Sequence, residues 1–279
     1  MGKLANFKFY LVPMALLLGL ALIAGCSNST SNQKAVGETM QAKSKEAPVE
    51  VNVWAAASLK DVLTKLAPNF EKVNNAKLVF NFGSSGDLQV QIEQGGPADL
   101  FISAGKSEID ALGKEKLIDS ASRTNLLSND LVIAVPANSK LTISKIEEIA
   151  TINGVNKIAI GEPSQVPAGK YAQQSLEKAN IWNAVQPKLV LAEDVRQVLS
   201  YVETGEVALG FVYKSDMKVS KNAKIAYSVP DSYHDTIVYP AAVVKNGRQH
   251  VLAAKLLDYL KSKAALNVFK EYGFKQVAK

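Results

Sequence analysis

The chain has few of the residues that build metal centres and covalent cross-links. Its 279 residues include one cysteine, Cys26, and two histidines, His234 and His250. A single cysteine excludes a disulfide framework within the chain and a cluster of thiolate ligands. Neither histidine lies in a His-rich or carboxylate-spaced motif, so we expect no site for a bare metal cation and no metal-assisted hydrolysis.

Motifs for nucleic acids and nucleotides are missing as well. The formal net charge is +6 at pH 7, but the lysines are scattered along the chain. Basic residues are not interleaved with aromatic ones, so nucleic-acid binding is not expected. The Gly-x-x-x-x-Gly-Lys-Ser/Thr loop that cradles phosphates does not occur. Any nucleotide hydrolysis linked to this chain must therefore belong to a partner.

The N-terminal segment has the pattern of an export signal. Lys3 and Lys8 precede a long apolar run that ends at Cys26. The run closes with Ile-Ala-Gly-Cys, which matches the lipobox of bacterial lipoproteins, where the cysteine thiol receives a lipid. We therefore predict a signal peptide over residues 1–25, lipidation of Cys26, including palmitate, and an extracytoplasmic position on the cell membrane. A plain transmembrane anchor is the alternative.

Residues 26–48 are polar and contain almost no large apolar side chain. Such a segment cannot bury enough surface to fold, so we predict a flexible tether between the lipid and the globular body. The body begins near residue 49 and is long enough for one large core or two smaller ones.

In the body, strand-like and helix-like segments alternate, which predicts an α/β fold with mainly parallel sheets. For example, the strand-like EVNVWA is followed by apolar residues at helical spacing from Leu59 onward. Pro68 falls inside that helical pattern and is expected to kink the helix or restart it near Ala67.

Two prolines are relevant to whether the body forms two lobes or a single sheet. Pro136 ends the apolar run LVIAVP, and Pro240 interrupts the run IVYPAAVV. A proline cannot donate a hydrogen bond to a central strand ladder. Two extended crossings between lobes would place prolines at such positions, and so would two edge strands of a single sheet. The residues alone leave both arrangements open.

Four strand-to-helix junctions carry small or polar residues. They are AAAS with Ser58, GSSG with Ser84 and Ser85, VPAG with Ala168, and EDV with Asp194 and Val195. Ligands of open α/β sheets lie beyond the carboxyl ends of the strands, and helix N-termini present unpaired N–H groups. The four junctions therefore favour an anion site. The simpler interpretation is that Ser58 and Asp194 cap helices.

The same phrases carry a family resemblance. AAASLKD, FGSSGDLQVQIEQGGPADLFISA, AEDVRQVLSYVETGEVALGFVYKSD and YPAAVV occur in one order over residues 51–274. The chain thereby resembles the molybdate-binding proteins of bacterial ABC-type uptake systems. The resemblance implies a two-lobed periplasmic-binding-protein-like fold of class II. In that fold each lobe is a mainly parallel sheet flanked by helices, and two segments cross between the lobes.

For this chain the resemblance implies one lobe over residues 49–133 plus 239–279 and a second lobe over 134–238. The hinge is expected near Pro136 and Tyr239. Closure is expected to bring two groups of residues around the ligand, Ser58 and Ser85 from the first lobe and Ala168, Val195 and Tyr213 from the second.

The resemblance also assigns roles to those five residues. Ser58 and Ser85 are expected to donate hydroxyl and amide hydrogens, and Ala168 and Val195 backbone N–H groups. Tyr213 is expected to donate its phenol, although a core tyrosine whose hydroxyl reaches water is the plainer interpretation. The serine loop is shorter here than in some relatives, which leaves Ser84 as an alternative to the favoured Ser85.

The implied function is capture of molybdate, and of tungstate as well, by a lipid-anchored monomer that delivers it to a membrane permease driven by a separate ATPase. No cofactor and no catalysis are expected. Molybdate is fully deprotonated at neutral pH and offers only acceptors, so a site made of donors suits it. The nearest alternative ligand is another tetrahedral oxyanion such as sulfate.

An extracytoplasmic serine hydrolase is the rival from a different class. Ser215 and Lys218 have the Ser-x-x-Lys spacing of cell-wall hydrolases. The chain contains neither Lys-Thr-Gly nor Ser-Asp-Asn, which accompany that motif in such enzymes.

Overall fold

Ten strands form two separate five-stranded sheets in the part of the chain that the computed structural model describes, residues 47–277. The predicted signal peptide, Cys26 and nearly all of the predicted tether lie outside the described residues. Among residues 47–277, no helix has the length and apolar character needed to cross a bilayer.

The strands are β1 Val49–Ala56, β2 Ala76–Gly83, β3 Leu100–Ile102, β4 Thr124–Ser128, β5 Leu131–Pro136, β6 Ile158–Gly161, β7 Leu189–Ala192, β8 Leu209–Tyr213, β9 Ala223–Ser228 and β10 Val238–Val243. The helices are α1 Lys60–Asn74, α2 Ser85–Glu93, α3 Lys106–Lys114, α4 Pro167–Lys178, α5 Trp182–Val185, α6 Val195–Glu203, α7 Lys214–Met217, α8 His250–Leu260 and α9 Lys263–Glu271. Short 3₁₀ turns span Ala57–Leu59, Ile146–Ala150, Gln186–Lys188 and Asp231–Tyr233.

The first lobe is built on the sheet β2-β1-β3-β10-β4, with α1, α2, α3, α8 and α9. β1 pairs in parallel with β2 and β3, while β10 is antiparallel to both β3 and β4. Four strands therefore run in one direction and β10 runs in the other. The helices that cover this sheet keep β1 buried over most of its length.

The second lobe repeats this plan with the sheet β7-β6-β8-β5-β9 and the helices α4 to α7. β6 is parallel to β7 and β8, and β5 is antiparallel to both β8 and β9. β5 and β8 are buried almost throughout, which explains why LVIAVP and LGFVY are continuous apolar runs rather than alternating ones.

The chain passes from the first sheet to the second through Asn129 and Asp130, and it returns through residues 229–237. The predicted two-lobed α/β fold with two crossing segments is thus confirmed.

The predicted lobe boundary between residues 133 and 134 falls inside β5, which lies whole in the second sheet. Pro136 is the last residue of that strand, paired with the edge strand β9, so it ends a strand rather than marking a crossing. Pro240 lies inside β10, next to a shift in the pairing with β4. A bulge at this point explains how the sheet accepts a residue without an N–H group.

α1 runs through Pro68 without a break, so the predicted restart near Ala67 is wrong. Pro68 is on the exposed side of the helix. Water can therefore bond the carbonyl of Thr64, which lacks its usual N–H partner.

Helix α4 packs very closely against β6 at Gly169. A Cβ atom at this position would lie 1.9 Å from the carbonyl oxygen of Gly161, a backbone atom that cannot rotate away. Glycine is therefore required where the first turn of α4, which includes Ala168, approaches the end of β6.

We expect Gly169→Ala to lower the free energy of unfolding by about 1 to 3 kcal/mol, because the helix must move away from the strand. Gly113→Ala is the matched control, since its Cβ would meet only Ile118 Cδ1 at an ordinary 3.8 Å in the helix α3. The control is expected to be neutral or slightly stabilising because alanine favours helix. Urea unfolding of both variants measures the difference, and equal losses would contradict the close-approach explanation.

Candidate functional site

A small cavity lies between the two lobes. Its volume is about 10 Å³. The first lobe contributes Ala56, Ala57, Ser58, Gly83, Ser84, Ser85 and Ala104, and the second contributes Val166, Pro167, Ala168, Asp194, Val195 and Tyr213. The structure thus brings all five predicted ligand residues together around one space. Two larger surface clefts, one beside Pro136 and one beside Trp182, include none of the five.

The lining residues come from the places where strands of both sheets end. Ser58 follows β1 in a 3₁₀ turn, and Ser85 is the first residue of α2 after β2. In the second lobe, α4 begins after β6 and α6 begins after β7. Tyr213 is the last residue of β8. Two sheets that meet at their carboxyl ends therefore supply the whole wall of the cavity.

Unpaired backbone N–H groups line this wall. Ser85, Ala168 and Val195 lie in the first turn of their helices, where an amide has no carbonyl of a preceding turn to bond. Among the described residues, no hydrogen bond is donated by the backbone nitrogens of these three residues or of Ser58. The positive ends of three helix dipoles meet at the same place, an arrangement that favours negative charge.

The phenol of Tyr213 is the clearest sign of a missing acceptor. The residue is 1% exposed, and within residues 47–277 its hydroxyl has no hydrogen-bond partner. This burial excludes the interpretation that the hydroxyl reaches bulk water. Burial also raises the pKa of Tyr213 well above its usual value, so the phenol keeps its hydrogen. A buried donor left unpaired costs about 1 to 3 kcal/mol, which an accepting ligand would remove.

The two serines of the GSSG loop have different hydrogen-bond partners. Ser84 is the N-cap of α2, and its hydroxyl accepts from the Asp87 amide at 3.1 Å and donates to Asp87 Oδ2 at 2.7 Å. Ser85 Oγ accepts from the Ala104 amide at 2.9 Å, so its own hydrogen remains available. The geometry favours Ser85 over Ser84 as the donor to a ligand.

The capping interpretation holds for Asp194 but not for Ser58. Asp194 Oδ1 accepts from the amides of Arg196 and Gln197 at 2.7 and 3.0 Å, as a helix cap does. No side chain caps the 3₁₀ turn after β1 or the helix α1. Ser58 Oγ instead lies 3.0 Å from Tyr239 Oη, in a buried contact.

No arginine or lysine is among the cavity-lining residues of the described chain. Arg196 lies next to Val195 and bridges the lobes. Its Nη2 contacts Asp61 Oδ2 of the first lobe at 2.7 Å, and its Nε contacts Asp216 Oδ1 of the second lobe at 2.8 Å. The pair with Asp61 is partly exposed, but Asp216 is fully buried. Burial raises the pKa of Asp216 to about 6, and the Arg196 guanidinium opposes a larger rise.

The structure gives no support to serine or metal hydrolysis. Ser215 Oγ accepts from Asn129 Nδ2 at 2.8 Å. Lys218 is exposed, and its contact with Ser215 is made by its backbone amide, which donates to the Ser215 carbonyl at 3.2 Å, rather than by its ammonium group. Within residues 47–277, no group of three or more His, Cys, Asp or Glu side chains could hold a metal ion.

The sequence did not predict that Tyr239 and Asn129, which are outside the cavity lining, support Ser58. Tyr239 contacts both Ser58 and Asn129 through buried polar atoms. The sequence also did not predict a bond across the cleft, in which the Gly86 amide donates to the Gln165 carbonyl at 2.9 Å. Tyr239 begins the phrase YPAAVV and was expected near the hinge, but nothing in the sequence indicated its contact with Ser58, and Asn129 lies in none of the quoted phrases.

Comparison with known proteins agrees with this architecture. A model of the family described as bacterial extracellular solute-binding protein matches residues 51–275. The chain is 42% identical over 229 residues to the molybdate-binding protein ModA of Escherichia coli (strain K12), covering 81% of this chain and 88% of that protein. It is 39% identical over 269 residues to the "Putative ABC transporter substrate-binding lipoprotein YvgL" of Bacillus subtilis (strain 168), covering 96% and 98%.

Among solved structures, the periplasmic molybdate-binding protein of Azotobacter vinelandii superposes with a TM-score of 0.75 at 26% identity, covering 82% of this chain and 100% of that one. The family match spans nearly all of the described residues, and the relative from E. coli covers most of the chain. The chain therefore belongs to the family of bacterial extracellular solute-binding proteins that includes ModA.

Proposed function

We propose that the chain captures molybdate outside the cytoplasm and delivers it to an ABC importer. The observation that carries the proposal is the buried Tyr213 hydroxyl, which has no partner within the described residues and lines a cavity to which both lobes contribute residues with hydrogen-bond donors. The relatives named as molybdate-binding proteins support the same ligand.

The chemistry of the proposed ligand matches the donors. Molybdate at neutral pH has four oxygens that only accept hydrogen bonds, and the proposed contacts only donate. A protonated phosphate would bring a hydrogen with no acceptor, an unpaired contact that costs about 1 to 3 kcal/mol. Sulfate is also fully deprotonated, so its rejection must come from the fit of a smaller tetrahedron in the cavity. Tungstate is nearly the size of molybdate, and we propose that it binds as well.

Uncharged donors are sufficient for tight binding. If Ser58 and Ser85 each donate a hydroxyl and an amide hydrogen and the other three residues one each, the anion receives seven hydrogen bonds. Charge-assisted bonds contribute roughly 1.5 to 3 kcal/mol each, or on the order of 10 to 20 kcal/mol in total. Association costs roughly 4 kcal/mol or more, and micromolar affinity needs about 8.

The proposal extends to the anchor and the partners. A lipid on Cys26 would hold the protein on the membrane, and the similarity to a relative named as a lipoprotein over 96% of this chain supports that arrangement. The permease and the ATPase would be separate subunits, because this chain has no phosphate-binding loop of the nucleotide-hydrolysing type. The binding protein would act as a monomer.

Release of the anion requires the lobes to separate, and the contacts that Arg196 makes with both lobes would oppose that separation. Arg196 is held in the second lobe by Asp216 and reaches Asp61 of the first lobe. We propose that this contact, together with the bond from Gly86 to Gln165, stabilises the closed state over the ligand.

The anion preference is tested by isothermal titration of the purified body, residues 47–279, with molybdate, tungstate, sulfate and phosphate at pH 7.5. We expect molybdate and tungstate to bind with similar, micromolar or tighter affinity. Sulfate and phosphate should bind far more weakly. Sulfate binding as tight as that of molybdate would overturn the proposal in favour of a general oxyanion carrier.

Tyr213→Phe is expected to weaken molybdate binding without lowering the stability of the ligand-free protein. Removal of the hydroxyl should weaken molybdate binding by about 1.5 to 3 kcal/mol, because a charge-assisted bond is lost. The ligand-free protein should be no less stable, because the hydroxyl has no partner there among the described residues.

Tyr259→Phe is the control for that variant, since its hydroxyl donates to the Leu66 carbonyl at 3.2 Å away from the cavity. It should lower stability slightly and leave affinity unchanged. If Tyr213→Phe instead behaves like this control, the phenol is structural and does not contact the anion.

Asp61→Asn tests the contact between the lobes while it keeps the Arg196–Asp216 pair. The Asp61 side chain is 39% exposed, so the lost pair is expected to contribute only about 0.2 to 1 kcal/mol, or up to fivefold in affinity. The loss should appear as faster molybdate release in stopped-flow measurements and should shrink at high salt.

Asp110→Asn provides the comparison, because it removes a partly exposed pair with Arg123 that lies entirely within the first lobe. Its release rate should match that of the unaltered protein. Equal release rates in both variants would show that the Arg196–Asp61 pair does not hold the lobes together; the bond from Arg196 Nη2 to the Ser58 carbonyl at 3.3 Å remains in Asp61→Asn.

A further inference from the structure

A buried chain of polar side chains connects the cavity to both crossings between the lobes. Asn129 lies in the first crossing, and Tyr239 is the second residue of β10, directly after the second crossing. Asn129 Nδ2 is 3.1 Å from Tyr239 Oη, which is 3.0 Å from Ser58 Oγ. Tyr239 is completely buried, and Ser58 and Asn129 are each 2% exposed.

The orientation of the Asn129 amide is fixed by its other contacts. Its Oδ1 accepts from the backbone amides of Asp130 and Ser215 at 3.0 and 3.4 Å. The Nδ2 group therefore faces the hydroxyls of Tyr239 and Ser215, and an amide NH₂ can only donate. Tyr239 Oη must accept this hydrogen bond, so the phenol hydrogen is available to be donated to another acceptor.

Within residues 47–277, the hydroxyl of Tyr239 has one hydrogen-bonding neighbour besides Asn129, the oxygen of Ser58. When Ser58 gives its own hydrogen to an anion, Tyr239 must be the donor in the bond between the two hydroxyls. The hydrogens then run in a single direction, from Asn129 to Tyr239, from Tyr239 to Ser58 and from Ser58 to the ligand. Burial raises the pKa of Tyr239 well above its usual value, so the phenol keeps the hydrogen that this order needs.

We propose that Asn129 and Tyr239 are positioning residues that make the Ser58 hydroxyl a donor to the bound oxyanion. This inference rests on the proposed function and deepens it, because it names residues that contact no ligand but set the direction of one ligand bond. The site would then prefer fully deprotonated ligands, because the Ser58 oxygen already accepts a hydrogen bond from Tyr239.

A double-mutant cycle tests the direction of this chain. Molybdate affinity is measured by titration calorimetry for the unaltered body, Tyr239→Phe, Ser58→Ala and the double variant. We expect Tyr239→Phe to weaken binding about tenfold on its own and less than twofold in the Ser58→Ala background, because its effect passes through Ser58. Equal effects in both backgrounds would overturn the proposal, and so would an unchanged affinity in Tyr239→Phe.

Folding is monitored in the same variants by thermal unfolding. Phenylalanine keeps the ring at position 239, whose centroid lies 5.7 Å from that of Tyr213 and 5.5 Å from that of Phe274. Tyr259→Phe serves again as the control and should stay within twofold of the unaltered affinity.

Asn129→Asp is a second, independent variant. A carboxylate facing Tyr239 would accept the phenol hydrogen, so Ser58 would have to donate to Tyr239 instead of to the anion. Molybdate affinity should then fall at least as much as in Tyr239→Phe. An unchanged affinity in a folded Asn129→Asp protein would also contradict the proposed direction.

The outcomes separate this inference from the proposed function. If the unaltered body binds sulfate rather than molybdate, the proposed function fails, and the cycle is carried out with sulfate. If the body binds none of the four oxyanions, both proposals are overturned. If it binds molybdate and the cycle is additive, only the role of Tyr239 is overturned.

Discussion

The structure depends on hydrogen-bond donors that are buried without acceptors of their own. First-turn amides from both lobes and the Tyr213 phenol surround one cavity, and within residues 47–277 the Tyr213 hydroxyl has no hydrogen-bond partner. Asp194, the acidic residue of the lining, accepts from the amides of Arg196 and Gln197 instead. Donors are costly to bury without a partner, so a cavity of this kind favours a guest that accepts hydrogen bonds from several sides. The proposed oxyanion meets this requirement, and the small residues at the ends of the strands would let it reach the backbone.

Positive charge in this protein is placed beside the cavity rather than in it. Arg196 follows the proposed donor Val195, yet its guanidinium is engaged by Asp61 and Asp216. A charged side chain in the cavity would attract any anion, whereas fixed amides and hydroxyls accept only a guest whose oxygens fit their positions. The same arginine can then hold the lobes together without competing for the ligand.

The sequence predicted what depends on local chemistry. The α/β alternation, the Asp194 cap and the two crossings follow from periodicity, capping preference and family resemblance, and the structure has them. Long-range facts escaped prediction. The helix α1 continues through Pro68 because that residue faces water, and β5 lies whole in the second sheet because of its pairing with β8 and β9. The contact between Asn129 and Tyr239 could not be predicted, because it arises only when residues 110 positions apart meet.

The two serines of the proposed site are anchored in different ways, and this difference connects ligand binding to lobe movement. Ser85 receives a hydrogen bond from Ala104 within its own lobe, so its geometry does not depend on the crossings. Ser58 is held by Tyr239, which is held in turn by Asn129, and these two residues lie where the chain passes between the lobes. If the lobes rotate about the crossings, as the proposed release requires, the contacts that support Ser58 lie at the moving segments, whereas the Ala104 contact of Ser85 stays within one lobe. The proposed opening movement would then weaken the donor Ser58 and so favour release of the anion.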